Sequence, residues 1–206
     1  QVVIDAVGQV LSLGSNIDTD DGNLQSPTAD ADDTTSTTSI DDEDGVSSFP
    51  TLTTTANQTY TVPVSVRNNV PLLNAFLVGY IDFNKDGDFN DTGEKSATVT
   101  VPTDSSNPRT LNVTFTTPTG VTAGNTYARF RLGSVQATAE SATGASVSTD
   151  NGEVEDYQIA IAPDGNRPLG SPFSCDSTFY ITIGAGSGAA QDLYSVNRSG
   201  SNYTFN

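Results

Sequence analysis
The chain has no histidine, no tryptophan and no methionine, and its single cysteine is Cys175. Without histidine, His-based catalytic triads and most zinc, copper and haem sites are excluded. One cysteine leaves no disulfide within the chain. Cys175 reads either as a small buried hydrophobe or as a reactive or intermolecular thiol. The missing Met is expected of a processed product or a fragment. Positive charge is scarce too: 8 Lys and Arg stand against 25 Asp and Glu, a formal charge of −17. The phosphates of nucleic acid and of anionic membranes would repel such a chain. No apolar run approaches a membrane span, and no signal-peptide pattern is present. The metal chemistry left open is that of carboxylates, which favours calcium.

What is abundant is acid, and it is patterned. The run Asp82-Phe83-Asn84-Lys85-Asp86-Gly87-Asp88-Phe89-Asn90-Asp91-Thr92-Gly93-Glu94 carries oxygen side chains at Asp82, Asn84, Asp86 and Asp88, every second residue. Gly87 stands where a tight turn needs it. Calcium takes roughly six to eight oxygen ligands, and alternate oxygen side chains on a looped backbone can wrap them around one ion. An EF-hand loop has its bidentate Glu at about the twelfth position; here that position is Gly93 and the candidate ligand Glu94 comes one later, so the loop is read as a calcium loop on a β scaffold and not as an EF-hand. The flank Phe76 to Phe83 is β-rich with no helical period, so the loop is expected to leave a strand. The alternative is an acidic hairpin turn, because Asp, Asn and Gly are ordinary turn residues.

Further acids precede this loop. Residues 1–50 hold Asp18-Thr19-Asp20-Asp21-Gly22-Asn23, Asp30-Ala31-Asp32-Asp33 and Asp41-Asp42-Glu43-Asp44-Gly45, with short β-like runs at Val2 to Ile4 and Val10 to Leu13. The segment is either a set of ordered, calcium-pinned loops, with Asp18 and Asp20 as ligands, or a solvated acidic tail.

From Tyr60 the pattern is that of strands. Tyr60, Val62, Val64 and Val66 alternate with polar residues, and Pro63 places that strand at a sheet edge. Ala75 to Phe83 is apolar on both parities and reads as central. Ser96 to Val101, Leu111 to Phe115, Thr126 to Leu132 and Glu153 to Ile161 complete a series separated by Pro, Gly and Asn turns. The expected fold is all-β, an antiparallel sandwich with calcium-binding loops. Glu140 to Asn151 reads as a long loop. The domain plan is an acidic segment over 1–50, the sandwich over 51–162, a linker over 163–172 and a β segment over 173–206. In that last segment Phe179 to Ile183, Leu193 to Val196 and Tyr203 to Phe205 read as strands. It is too short to bury a core, and is either the start of a second domain or an intersubunit element.

Asn151-Gly152-Glu153-Val154-Glu155-Asp156-Tyr157 resembles the signature of the GEVED domain of secreted bacterial surface proteins. Asp41 to Val46 with Phe49-Pro50 resembles the acidic entry of that family, and Asp82 to Glu94 its strand-loop calcium segment. Leu11 to Ser15 with Asp18 to Gly22 is similar to a leader that often precedes the domain. The resemblance covers roughly residues 10–162 and departs from the family in lacking Trp at the end of the central strand, where Tyr80 and Phe83 stand. The tail from Cys175 to Phe205 more faintly resembles the first blade of a propeller-like domain. The resemblance implies a β-sandwich module repeated in large adhesins, with no catalytic activity assigned to it.

The residues of the signature carry their own chemistry. Glu153 and Glu155 share one strand face and Val154 the other; Asp156 breaks the acidic alternation, which points to a bulge or a strand end. Calcium is expected at some of these acids, with Asp42 and Asp44 as co-ligands across the sheet. The alternative is ion pairing with Arg129 and Arg131. Catalysis is not expected: nucleophilic chemistry lacks a His base, and sugar hydrolysis lacks a Trp-lined cleft. The expected function is a non-catalytic, calcium-stabilised structural module of an extracellular adhesin or filament. Its partners would be neighbouring copies of the chain or cell-surface glycans. A calcium-dependent carbohydrate-binding module is the alternative, with Tyr80, Tyr127 and Tyr157 as candidate contacts.

Overall fold
The structure is a computed structural model that describes residues 10–16, 28–29, 43–103, 108–143 and 152–164, and the backbone of 196–199 and 202–205. Contacts divide the chain into two units, residues 1–165 and 166–206. In the first unit β1 is Leu11–Leu13, β2 Leu52–Thr53, β3 Thr59–Asn68, β4 Ala75–Ile81 and β5 Val99–Val101. They are followed by β6 Arg109–Thr116, β7 Gly124–Gly133, a single helical turn α1 Gln136–Ala139, and β8 Gly152–Ala162. One sheet has the order β1-β3-β6 and the other β2-β8-β7-β4-β5. In the second unit β9 (Val196–Ser199) and β10 (Asn202–Phe205) form an antiparallel pair. No helix among the described residues is long and apolar enough to cross a membrane.

Period-two alternation explains the sandwich. Tyr60, Val62, Val64 and Val66 of β3 are buried, and Val62 and Tyr60 lie opposite Val113 and Phe115 of β6. They form one cluster with Leu77, Ile81 and Phe83 from the β4 side and with Phe130, Ile159 and Ile161 of β7 and β8. Burying each such side chain contributes about 1.5–3 kcal/mol. Gly79 faces the core under tight packing: a Cβ there would fall 2.7 Å from the Phe115 ring of the other sheet and 2.9 Å from Phe130. β4 is central, between β7 and β5, as its apolar character on both parities requires.

Three local expectations are corrected. The strand carrying Pro63 is not an edge strand in the sheet order. β1 pairs with its residues 66–68, while at Pro63 the pairing among described residues is to β6 alone, so the proline sits where no second ladder runs. The sandwich is not wholly antiparallel, because the two residues of β2 pair in parallel with Ile161 and Ala162. No bulge interrupts the signature strand. Glu153, Glu155 and Asp156 lie opposite Leu132, Phe130 and Arg129 in one continuous register, so Asp156 simply takes the outer face. The β-like run at Val2 to Ile4 and the strand expected at Phe179 to Ile183 lie outside the described residues.

The outer face of the five-stranded sheet carries a second, smaller cluster. Val78, Tyr80, Ala139 and Ala142 are buried in it, with Phe76 and Phe89 packed against them. Tyr80 donates its hydroxyl to the Ala139 carbonyl at 2.8 Å, and burial pushes its phenol up to about 12.

Candidate metal centre
The loop from Asp82 to Lys95 joins β4 to β5 and is closed at its base by main-chain bonds. Ile81 N donates to Glu94 O at 2.9 Å, and Ser96 N to Gly79 O at 2.9 Å. Phe83 turns inward, fully buried and edge-on to Phe115 with centroids 6.1 Å apart. Two buried carboxylates then shape the loop. Asp82 accepts from Lys85 N at 2.6 Å and Gly87 N at 3.1 Å, which holds the turn through Lys85 and Gly87 in the left-handed region, at φ +67° and +94°. A Cβ at Gly87 would meet nothing, so glycine serves the backbone angle there and not close packing. Glu94 is 1 % exposed and accepts from Phe83 N at 3.0 Å and Asp91 N at 3.2 Å. Burial pushes its carboxyl above the usual range, the donated N–H groups of Asp91 and Phe83 pull it back, and the charges of Asp82 and Asp91 push it up further.

The rim of the loop is different. Asp86, Asp88 and Asp91 are exposed, and each offers a carboxylate oxygen within 4.8 Å of the others. Short side-chain-to-backbone bonds set their directions: Asp88 N donates to Asp86 Oδ1 at 3.3 Å, and Asn90 N to Asp88 Oδ1 at 2.8 Å. Asn84 bridges the rim, its amide donating to Asp86 at 3.0 Å and Asp91 at 2.6 Å. Lys85 sends its ammonium to the Ala123 carbonyl at 3.3 Å. The triad could therefore hold a metal ion, and its all-oxygen donors suit a hard cation such as calcium better than zinc or copper.

The candidate residues thus separate into three groups. Asn84, Asp86 and Asp88 lie on the rim. Asp82 and Glu94 bracket the loop from below, their oxygens taken by backbone N–H groups. Asp91 was not among the candidates expected from the sequence. Its only signal there was being a fourth acid on the same loop, outside the alternate spacing. Asp18, Asp20 and Asp42 lie outside the described residues.

The acids of β8 belong to another part of the molecule. Glu153 and Glu155 point inward at 6 % and 2 % exposure. Glu153 accepts from Leu13 N of β1; Glu155 accepts from Gly45 N at 3.2 Å and from the Tyr157 hydroxyl at 2.6 Å. That hydroxyl in turn accepts from Val46 N at 2.9 Å. Burial, with the Glu155 charge beside it, raises the Tyr157 phenol far above its ordinary value. Gly45 is required by contact, since a Cβ there would stand 2.3 Å from Glu155 Oε2. Asp44 accepts from Ser15 N at 2.9 Å and Asn16 N at 3.2 Å. The acidic entry and the closing signature are therefore partners: carboxylates of each capture main-chain donors of the N-terminal segment. Asp156, on the outer face, takes the fork of Arg129, with Nε and Nη2 each 2.6 Å from a carboxylate oxygen. Among the described residues neither Asp44 nor the β8 acids join the rim triad or form another such group.

A comparison with curated proteins found no match to the chain. In the comparison with known families, the model of the GEVED domain matches residues 76–160, from β4 and its acidic loop through the signature strand β8.

Proposed function
We propose that the chain is a non-catalytic structural module of an extracellular surface adhesin or filament, and that calcium at the Asp86, Asp88 and Asp91 rim stabilises its fold. The observation that carries this reading is the convergence of three exposed carboxylates on a loop whose base is locked into the β4–β5 hairpin. A cation there relieves their mutual repulsion and ties the far end of the loop to itself. The acidity of the chain, its single cysteine and the GEVED resemblance support an extracellular setting, where external calcium would keep even a modest site filled. Neighbouring copies of the chain or cell-surface glycans are its proposed partners.

Calcium-dependent glycan binding is the second reading. Of the three tyrosines that could stack on a sugar, Tyr80 is buried and the Tyr157 hydroxyl is committed within the core, whereas Tyr127 is 37 % exposed. The main chain of Tyr127 also anchors the loop, accepting from Asp82 N at 3.1 Å.

Thermal melting with calcium and with chelator tests the proposal. Binding to the native state alone adds about 2.7 kcal/mol when calcium is at about a hundred times its dissociation constant. Chelator is expected to lower the melting temperature, and magnesium to restore it poorly because it demands a tighter octahedral shell. Superimposable melts would refute calcium as a stabiliser.

A further inference from the structure
Residues 84–92 form the exposed rim of the loop, and Phe89 alone among them is partly buried. It sits in sequence between Asp88 and Asp91, two of the three acids of the triad. Its ring packs on Tyr80 with centroids 5.9 Å apart, and the Arg129 guanidinium lies over it at 5.8 Å. Through these contacts the rim is attached to the outer-face cluster rather than to the sandwich core.

The same cluster holds the turn that follows β7. Tyr80 bonds the Ala139 carbonyl, Arg129 bonds the Ala142 carbonyl at 2.8 Å, and Arg131 bonds the Ser141 carbonyl at 2.5 Å. Arg129 thus touches the Phe89 ring, the Asp156 carboxylate and the 139–142 backbone with one planar group.

We infer that Phe89 is the positioning residue of the cation loop, and that cation binding and the docking of α1 with residues 140–142 are thermodynamically linked through Phe89, Tyr80 and Arg129. The inference rests on the cation reading given above. Three carboxylates on an exposed rim converge only if the backbone between them is held in place. Phe89 supplies that hold, because a ring packed against both Tyr80 and Arg129 fixes the chain between Asp88 and Asp91. Linkage is reciprocal: whatever bound cation adds to the order of the rim is returned as protection of the turn that shares the cluster.

The test is calcium titration by calorimetry on the full chain and on Phe89→Ala, Phe89→Tyr and Asp86→Ala, with hydrogen exchange followed at residues 136–143. Phe89→Ala is expected to bind calcium about tenfold more weakly, a coupling of ordinary size, and Phe89→Tyr to bind as the parent does. Calcium should slow exchange at 136–143 in the parent and leave it unchanged in Phe89→Ala. Equal affinity of Phe89→Ala and the parent, or exchange at 136–143 that ignores calcium in the parent, would overturn the inference and leave the cation reading standing. If the parent itself binds no calcium, the cation reading fails and takes the inference with it. Should Phe89→Ala not fold, Phe89→Leu and Arg129→Lys carry the same comparison, since both keep the bulk and weaken the packing.

Discussion

Replacing Glu94 with alanine will lower the unfolding free energy by about 3 kcal/mol, in calcium and in chelator alike. The side chain is 1 % exposed and its two oxygens accept from Phe83 N and Asp91 N, so truncation leaves two N–H groups without their acceptor beneath a closed loop. Each such loss costs about 1–3 kcal/mol, partly offset because a buried carboxylate with a raised pKa no longer has to be desolvated. Asp86→Ala should behave in the opposite way. Asp86 is exposed and belongs to the rim triad, so its removal should erase the calcium-dependent part of the stability and change little in chelator. Urea denaturation of both variants under the two conditions separates bracket from ligand. A Glu94→Ala loss that appears only with calcium would make Glu94 a ligand and contradict the division drawn between the buried and exposed acids.

The second large effect is expected at Glu155. Glu155→Ala should cost about 3 kcal/mol, since it strips an acceptor from Gly45 N and from the Tyr157 hydroxyl inside the core. Tyr157→Phe keeps the ring contacts with Phe49 and Phe130 and removes only the hydroxyl that accepts from Val46 N, so about 1–2 kcal/mol is expected. In both variants amide exchange should accelerate first at residues 43–46 and at β1, the segments that the signature strand holds. Unchanged stability in Glu155→Ala, or exchange that accelerates evenly over the whole sandwich, would show that this carboxylate does not anchor the N-terminal segment.

Much of this arrangement could be read from residue patterns alone. Alternation at Tyr60 to Val66 and at Leu111 to Phe115, and the double apolar parity of Ala75 to Phe83, place β3, β6 and β4 because burial in a sandwich follows a period of two. The Asp-x-Asn-x-Asp-Gly-Asp spacing locates the loop for a similar reason: turn geometry is local. What escaped the pattern was not local. The two residues of β2 carry no periodicity, and their parallel pairing depends on where β8 ends. Pairing of Asp156 with Arg129 was one of two open readings, and only the β7–β8 register decides it. Glu153 and Glu155 find their donors at Leu13 and Gly45, more than a hundred residues away, a relation no spacing rule contains. Within the loop, comparison with an EF-hand drew attention to Glu94 as the terminal ligand. In the folded loop Glu94 is buried with its oxygens taken by backbone N–H groups, and Asp91 stands on the rim beside Asp86 and Asp88.

The central claim is that Asp86, Asp88 and Asp91 together hold a calcium ion. Calorimetric titration of calcium into the full chain and into Asp91→Asn addresses it most directly, because Asp91 is the candidate ligand that the folded loop adds to the alternate-spacing pattern. Asparagine keeps the shape of the side chain and removes one charge. The account predicts a saturable binding event in the parent that Asp91→Asn weakens by about tenfold or more, the equivalent of about 1.4 kcal/mol. A parent that takes up no calcium, or an Asp91→Asn chain that binds it as tightly as the parent, would contradict it.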